Sequence, residues 1–244
     1  MARGCTCCDG TKLSRRGIIA LAASATAISA SAVVGIKPAQ AATPSASALS
    51  PDQALAALKA GNRKYVSDPQ VCTMNLAQRR GEVSAHQAPW ATVISCADSR
   101  VPPELIFGGL GVGELFVARN AGNLIDTATL GTVEYGAAVL GSPIIVVLGH
   151  GRCGAVAAAC KVVTENATFP GSIGPMIEPI IPAAIAVRDK PGDFIENAIR
   201  QSAIRTAGRL EAASPMLAGL VKAGKLKIVA ARYDLDAGSV EFLS

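Results

Sequence analysis

The chain has few aromatic residues, few charged residues and little excess of positive charge. Of its 244 residues, 17% are charged and 4% are aromatic, and the net charge at pH 7 is +5. Residues 1–41 contain five basic residues and one acidic residue, so they carry +4 of that charge and the rest of the chain about +1. A nearly neutral domain offers no basic patch for nucleic acid. The many Ala, Gly, Val and Ile residues instead favour close packing of helices on a sheet.

The chain also lacks an undiluted hydrophobic run of the kind that anchors a protein in a membrane. Residues 18–36 are mildly apolar, but serine and threonine dilute them and a glycine interrupts them. A twin-arginine pair, Arg15 and Arg16, precedes this stretch, and Ala39-Gln40-Ala41 follows it as an A-x-A cleavage site. These features predict a cleaved twin-arginine signal peptide.

The predicted cleavage divides the chain at residue 41. We expect residues 1–41 to be removed and residues 42–244 to form a single domain, exported to the periplasm or secreted, with no membrane association after cleavage. Cys5, Cys7 and Cys8 would then belong to the discarded segment.

Candidate metal ligands are concentrated in two short clusters, Cys96-Ala97-Asp98-Ser99-Arg100 and His150-Gly151-Arg152-Cys153. Two thiolates, one imidazole and one carboxylate suit Zn²⁺, because soft sulfur selects zinc over magnesium or calcium. We expect Cys96, His150 and Cys153 to hold one Zn²⁺ per chain, with Asp98 as an exchangeable fourth ligand. A carboxylate among the ligands favours a site that must release a ligand over a purely structural site.

Both clusters follow short apolar runs rich in β-branched residues, at residues 90–95 and 144–148. Such runs are typical of strands that are buried on both faces of a parallel sheet. Further strands are predicted at residues 115–118, 227–232 and 240–243, with helical patterns between them. The prediction is therefore an α/β fold with a mainly parallel four- to five-stranded sheet flanked by helices. Such sheets bind ligands at the carboxyl ends of their strands, where the two clusters would meet.

Capping residues mark the start of two helices. Ser50, Pro51 and Gln53 form a capping-box pattern with proline at the first helical position, which predicts a helix over residues 51–66. Asp126 is expected to cap a second helix that extends to about residue 140.

Arg100 lies two residues after Asp98 and offers a partner for its carboxylate. A guanidinium binds a carboxylate through two parallel hydrogen bonds, which would draw Asp98 away from zinc. Water in the vacated position would be acidified by zinc to give hydroxide near neutral pH. We therefore predict a catalytic pair in which Arg100 gates the fourth zinc position and Asp98 accepts a proton from the zinc-bound water.

Taken together, the motifs resemble those of β-class carbonic anhydrases, with the addition of a bacterial twin-arginine signal. The resemblance is carried by residues 96–101, 119–123, 133–135, 149–154 and 233–243. It implies a carbonate dehydratase that hydrates carbon dioxide reversibly to bicarbonate and a proton by means of zinc-bound hydroxide. It also implies a homodimer or a dimer of dimers.

The same resemblance assigns three residues to a substrate pocket. Gln87 falls where many members place a glutamine that hydrogen-bonds substrate across the dimer interface. Phe116 and Tyr135 fall where the family lines an apolar pocket, which is suitable for a small apolar substrate.

One departure from the family pattern concerns regulation. Some members bind inhibitory bicarbonate beside a tryptophan three residues before the first zinc cysteine, and Val93 occupies that position in this chain. Arg119 and Tyr233 remain at the other corners of that pocket. We therefore expect a site that is open at neutral pH and not strongly inhibited by bicarbonate.

Two other functions remain open from the residues alone. The same scaffold is compatible with hydrolysis of carbonyl sulfide or carbon disulfide, because details of the site decide the function. A non-catalytic interaction module stabilised by zinc would keep Asp98 as a permanent fourth ligand. Among the other cysteines, Cys160 is expected to pack in the core, with a Cys72–Cys160 disulfide as the alternative.

Overall fold

The computed structural model describes residues 47–68 and 76–243. Two helices, α1 (Pro51–Ser67) and α2 (Leu76–Val83), precede the sheet. The predicted capping box is confirmed, because the Ser50 hydroxyl accepts a hydrogen bond from the Gln53 backbone N–H and the Gln53 side chain accepts one from the Ser50 N–H. The predicted signal peptide and Cys72 lie outside the described residues.

The sheet contains the five predicted strands, which are β1 (Ala91–Cys96), β2 (Leu115–Asn120), β3 (Ile144–His150), β4 (Lys227–Tyr233) and β5 (Val240–Leu243). Their spatial order is β2-β1-β3-β4-β5. The first four strands are parallel, and β5 runs antiparallel to β4 at one edge. The predicted α/β architecture with a mainly parallel sheet is therefore confirmed.

The remaining helices of the described residues are α3 (Pro103–Ile106), α4 (Thr127–Glu134), α5 (Gly154–Glu165), α6 (Ile173–Ile177), α7 (Ile181–Val187), α8 (Phe194–Ala213) and α9 (Pro215–Lys222). Asp126 caps α4 as predicted, by accepting a hydrogen bond from the Thr129 N–H at 2.7 Å. The helix continues as a π-helical turn over Tyr135–Val139. Within residues 47–68 and 76–243, none of the helices is both long and apolar enough to cross a membrane.

Helices cover both faces of the sheet, and β3 shows this most clearly. Ile144, Val146 and Leu148 belong to the apolar cluster on the α1 face. Ile145 and Val147 point to the opposite face, in a cluster with residues of α4, α8 and α9. All five side chains are fully buried. The apolar run of β3 is uninterrupted because both of its faces are buried, as the sequence pattern predicted.

The strand order determines where the ligand clusters meet. Since β1 pairs directly with β3, with Ser95 opposite Leu148, the carboxyl ends of the two strands lie side by side. Cys96 is the last residue of β1, and His150 is the last residue of β3. The two clusters therefore meet at one edge of the sheet, as expected for this class of fold.

Candidate metal centre

Cys96, His150 and Cys153 form one compact group at this edge. The two sulfurs and an imidazole nitrogen all lie within 4.8 Å of one another, and the three residues are 5%, 0% and 1% exposed. Donor atoms from the ends of β1 and β3 and from the N-cap of α5 converge in the core, as expected from the two motifs.

The imidazole of His150 has the tautomer that a metal ligand needs. Its Nδ1 lies 2.9 Å from the Gly151 carbonyl oxygen, to which it donates a hydrogen bond. This bond leaves the lone pair on Nε2, which is buried and has no hydrogen-bond partner among the described residues. An unpartnered buried nitrogen is costly in a protein interior, and coordination to a cation would satisfy it.

The two thiols interact directly, and this interaction also favours a cation. The pKa of Cys96 is lowered to about 4, chiefly because the Cys153 thiol donates a hydrogen bond to its sulfur. The same hydrogen bond, together with burial, raises the pKa of Cys153. The two sulfurs thus share one proton through this hydrogen bond, whereas a divalent metal favours two thiolates. Two sulfurs and a neutral imidazole nitrogen fit Zn²⁺.

Residues 150–153, which we call the His150 turn, are held by backbone hydrogen bonds and by one ion pair between side chains. The Gly151 N–H donates to the Tyr233 carbonyl at 2.9 Å and so extends the contact between β3 and β4. Arg152 has a φ of 53°, a left-handed conformation that is uncommon for a residue with a side chain. Its guanidinium binds both carboxylate oxygens of Asp236, at 2.7 and 2.9 Å. Cys153 then occupies the N-cap position of α5.

Residues 96–100, which we call the Cys96 loop, carry the predicted Asp98–Arg100 pair. Arg100 Nε donates to Asp98 Oδ1 at 2.9 Å, and Arg100 Nη2 donates to Oδ2 at 2.7 Å. Oδ2 also lies 3.9 Å from His150 Nε2, so the carboxylate is adjacent to the ligand group. The hydrogen bonds from the Arg100 side chain are the largest cause of a pKa of Asp98 well below the usual range for a carboxyl. Asp98 is therefore ionised and bound by Arg100 in this structure.

Comparison with known proteins identifies the family. A sequence model of the family described as "Carbonic anhydrase" matches residues 91–240, which is more than half of the chain and includes all three ligands. The chain belongs to the carbonic anhydrase family. "Carbonic anhydrase 2" of Mycobacterium tuberculosis is 37% identical to it over 189 residues, which cover 77% of this chain and 90% of the relative.

Solved carbonic anhydrase structures confirm the fold. A β-carbonic anhydrase of Coccomyxa, in complex with acetazolamide, matches with a TM-score of 0.60 and 25% identity, covering 78% of this chain and 86% of that chain. One of two tetrameric β-carbonic anhydrases of Sordaria macrospora shares the fold with a TM-score of 0.60 at 24% identity, covering 75% and 90% of the two chains. The predicted enzyme, a carbonic anhydrase with the β-class fold, is thus confirmed.

In this carbonic anhydrase, β2 supplies contacts to the Cys96 loop that sequence reasoning did not find. Arg119 donates from Nε to the Cys96 carbonyl at 2.9 Å and from Nη2 to the Asp98 carbonyl at 2.6 Å. The Gly122 N–H donates to Cys96 Sγ at 3.4 Å. From sequence, Arg119 was placed only at the corner of a bicarbonate pocket and Gly122 was given no role. The sequence feature that could have indicated these contacts is the position of Arg119 and Gly122 in an Arg-Asn-Ala-Gly-Asn segment at the end of a strand.

Within one chain, the three predicted pocket residues lie at a distance from the candidate ligands. Phe116 is the second residue of β2, and about 13 Å of extended strand separates it from Asn120, which pairs with Cys96. The ring of Tyr135 lies 6.1 Å from that of Phe116, and Tyr135 is 46% exposed. Gln87 is exposed and precedes the amino end of β1. Phe116 and Tyr135 therefore form a pair at the amino half of β2, whereas the ligands lie at its carboxyl end.

Proposed function

We propose that the protein catalyses the reversible hydration of carbon dioxide to bicarbonate and a proton, with one Zn²⁺ held by Cys96, His150 and Cys153. The observation that carries the proposal is the buried, unpartnered Nε2 of His150 beside two interacting sulfurs. Membership of the carbonic anhydrase family supports it independently.

Zinc in such a site supplies a Lewis acid that generates a nucleophile from water near neutral pH. The residues of the chain then determine what surrounds that nucleophile. Arg100 binds Asp98 through two hydrogen bonds and so keeps the carboxylate available to water instead of to the metal. We propose that this pair gates the fourth ligand position, with Asp98 as the exchangeable ligand.

Asp98 acts as a hydrogen-bond acceptor that orients a water molecule beside the metal centre. Its pKa is held low by Arg100, so the carboxylate stays ionised and is a weak base. Such a group accepts a hydrogen bond from water more readily than it removes a proton, so we propose this role for Asp98 in place of the proton acceptor expected from the sequence. Because Oδ2 lies 3.9 Å from His150 Nε2, a water beside the ligand group can donate to it. Orientation of the attacking oxygen towards carbon dioxide is the expected result.

We further propose a homodimer, or a dimer of dimers, in which one copy completes the pocket of the other. β2 is an edge strand in the chain, and the adjacent side chains of Tyr135 and Val139 are 46% and 47% exposed. In an antiparallel pairing of two such edges, the amino half of one β2 lies beside the carboxyl end of the other. Gln87, Phe116 and Tyr135 of one copy would then line the substrate pocket of the second.

Stopped-flow carbon dioxide hydration by the zinc-loaded protein beginning at Ala42, scanned from about pH 6.5 to 9, tests the function. Activity that is present near neutral pH and rises with pH supports the proposal together with an open site. Activity that begins only above about pH 8 would mean that Asp98 is the resting zinc ligand. A zinc-loaded protein without activity would contradict the proposal. Acetazolamide, which the Coccomyxa enzyme binds, serves as the control inhibitor.

A complementation experiment tests the shared pocket. His150→Ala removes a metal ligand from one copy, and Tyr135→Ala removes a pocket residue from the other. Each homo-oligomer should have low activity. A mixed dimer contains one intact site, with His150 from one copy and Tyr135 from the other, and should regain activity. Failure of co-expressed variants to regain activity, in a protein shown to be dimeric by light scattering, would contradict the shared pocket.

We also propose that the mature domain is exported by the twin-arginine route to the periplasm or the exterior. The support is the sequence alone, since residues 1–41 lie outside the described residues. Mass spectrometry of the protein recovered from a cell envelope fraction should find an amino terminus at Ala42. Replacing Arg15 and Arg16 with lysine should retain the protein inside the cell, and unchanged export would contradict the proposal.

A further inference from the structure

Arg119 contacts the backbone of the Cys96 loop at two points. Its Nε donates to the Cys96 carbonyl and its Nη2 to the Asp98 carbonyl, so that one guanidinium binds both the peptide that precedes Ala97 and the peptide that follows Asp98. At 2.9 and 2.6 Å, both are charge-assisted hydrogen bonds, which are stronger than bonds between neutral groups. The planar fork of a guanidinium is what allows one side chain to serve both carbonyls.

The other hydrogen bonds from β2 and the residues after it reach only Cys96 and Ala97, the first two residues of this loop. The Asn120 carbonyl accepts a hydrogen bond from the Ala97 N–H at 2.9 Å, and the Gly122 N–H donates to Cys96 Sγ at 3.4 Å. The bond from Arg119 to the Asp98 carbonyl extends this support by one residue. The direction in which the Asp98 carboxylate points depends on the peptide that follows it, and Arg119 binds that peptide.

We propose that Arg119 is a positioning residue that holds the backbone of the Cys96 loop in the conformation in which Asp98 pairs with Arg100. The inference rests on the proposed function, because Asp98 matters to the reaction only if the centre hydrates carbon dioxide. The Asp98–Arg100 pair is local and partly exposed, with the Arg100 side chain 51% accessible, so it cannot by itself fix the orientation of the loop. The other hydrogen bonds to Asp98 are also local, from the Val101 N–H to its carbonyl at 3.1 Å and from the Arg100 N–H to its carboxylate at 3.0 Å, so the bond from Arg119 is the one that ties this part of the loop to β2.

Two substitutions and a matched control test this role. Arg119→Gln removes the charge and the fork, whereas Arg119→Lys keeps the charge but cannot donate to both carbonyls. Arg200→Gln is the control, because Arg200 also makes two short hydrogen bonds, at 2.7 and 2.6 Å, but to Glu241 on β5 instead of to a ligand loop. The readouts are kcat and KM for carbon dioxide, zinc per chain, and the visible absorption spectrum of the Co²⁺-substituted protein. Arg100→Ala supplies the reference spectrum of a protein in which Asp98 has lost its partner.

We expect kcat of Arg119→Gln to fall about tenfold to a hundredfold with little change in KM, since a residue that orients a ligand loop acts on the reacting geometry. Its Co²⁺ spectrum should move towards that of Arg100→Ala. The kcat and the Co²⁺ spectrum of Arg119→Lys should be intermediate between those of Arg119→Gln and the wild type. Arg200→Gln should match the wild type in every readout.

The opposite results would overturn the inference. An unchanged kcat and an unchanged Co²⁺ spectrum in either Arg119 variant would show that the loop holds its conformation without the guanidinium. A rise in KM for carbon dioxide alone, with a wild-type spectrum, would assign Arg119 to substrate binding instead of to the conformation of the loop. If Arg119→Gln does not fold, Arg119→Lys decides the question. The proposed function is tested separately, because it fails if the zinc-loaded wild type is inactive. The Co²⁺ spectra report on the position of Asp98 whether or not the wild type is active.

Discussion

The His150 turn and the Cys96 loop supply ligands to the same centre but are built differently. The His150 turn is an extension of the sheet, because His150 still pairs with Tyr233 in the β3–β4 ladder and Cys153 begins α5. In the Cys96 loop, the side chains of Asp98 and Arg100 are 18% and 51% accessible. The backbone of the Cys96 loop follows β2 only as far as Ala97, whose N–H donates to the Asn120 carbonyl, and beyond it the side chains of Arg119 and Arg100 bind Asp98.

This difference corresponds to a division of tasks. Ladder hydrogen bonds in a buried sheet break only when strands separate, so the His150 turn suits ligands that stay in place. Asp98 lies beyond the ladder and is bound by the side chains of Arg100 and Arg119, so it changes its position when a side chain moves, which suits a ligand that must exchange. The predictions below test this comparison, from the largest expected effect to the smallest.

Substitution in the His150 turn should have the largest effect. His150→Ala removes one of three metal ligands, so zinc per chain, activity and Tm should all fall sharply, because metal binding stabilises the folded state. Elemental analysis, the carbon dioxide assay and thermal unfolding measure these changes. His86→Ala is the control, because His86 is exposed, and it should keep its zinc. A His150→Ala protein that retains a full equivalent of zinc would contradict the assignment of this ligand.

Substitution in the Cys96 loop should reduce activity without loss of metal. Asp98→Asn should keep its zinc and lose about tenfold to a hundredfold in kcat, because a neutral amide pairs poorly with Arg100 and no longer holds the acceptor oxygen in place. Asp236→Asn is matched to it, since Asp236 forms an equally bidentate pair with Arg152 on the other turn. That pair is exposed, so its loss should change kcat little. Equal losses of kcat in the two variants would show that the turns do not differ as we infer.

A smaller effect is expected where β2 supports the Cys96 loop. Gly122 has a φ of 88°, and a Cβ on it would lie 2.9 Å from the Cδ1 atom of the buried Ile180. Gly122→Ala should therefore lower the free energy of unfolding by about 1–2 kcal/mol. Gly208→Ala, in the open interior of α8, should raise it by about 0.5–1 kcal/mol. Urea titrations of both variants measure this difference, and equal signs would contradict the steric argument.

The smallest effect concerns pH and the loop after β4. Asp234 accepts hydrogen bonds from the N–H groups of Asp236 and Ala237 and from Arg232, and these bonds lower its pKa to about 2. A lowered pKa means that the ionised group stabilises the fold above its unfolded value of 3.8, and that this contribution is lost as the pH falls towards 2.

The urea midpoints of the wild type and Asp234→Asn should therefore differ at pH 7 and converge between about pH 4 and 2. Both proteins are measured with a chelator present throughout, so that loss of metal in acid does not contribute. A gap between the midpoints that stays constant over this interval would contradict the role of the ionised carboxylate.

Much of the sheet could be predicted from the sequence, because buried parallel strands leave a simple apolar pattern. Even so, β3 was expected to end at residue 148, and it continues to His150 because Gly149 interrupts the apolar run but not the ladder. The helix after Asp126 was expected to be regular to about residue 140. It becomes a π-helical turn where Gly136 lies so close to β1 that a Cβ would meet the Thr92 hydroxyl at 2.6 Å.

The sequence by itself determined the family, the order of strands and helices along the chain, and the three candidate metal ligands, because each leaves a local signal in residue type and spacing. Only the tertiary structure decided that Nε2 of His150 is buried without a partner among the described residues, that the Asp98 carboxylate lies beside it, and that Arg119 binds two carbonyls of the Cys96 loop. These features depend on contacts between strands that are distant in the chain. Their directions and distances follow from the register and packing of the sheet, which no local pattern of residues encodes.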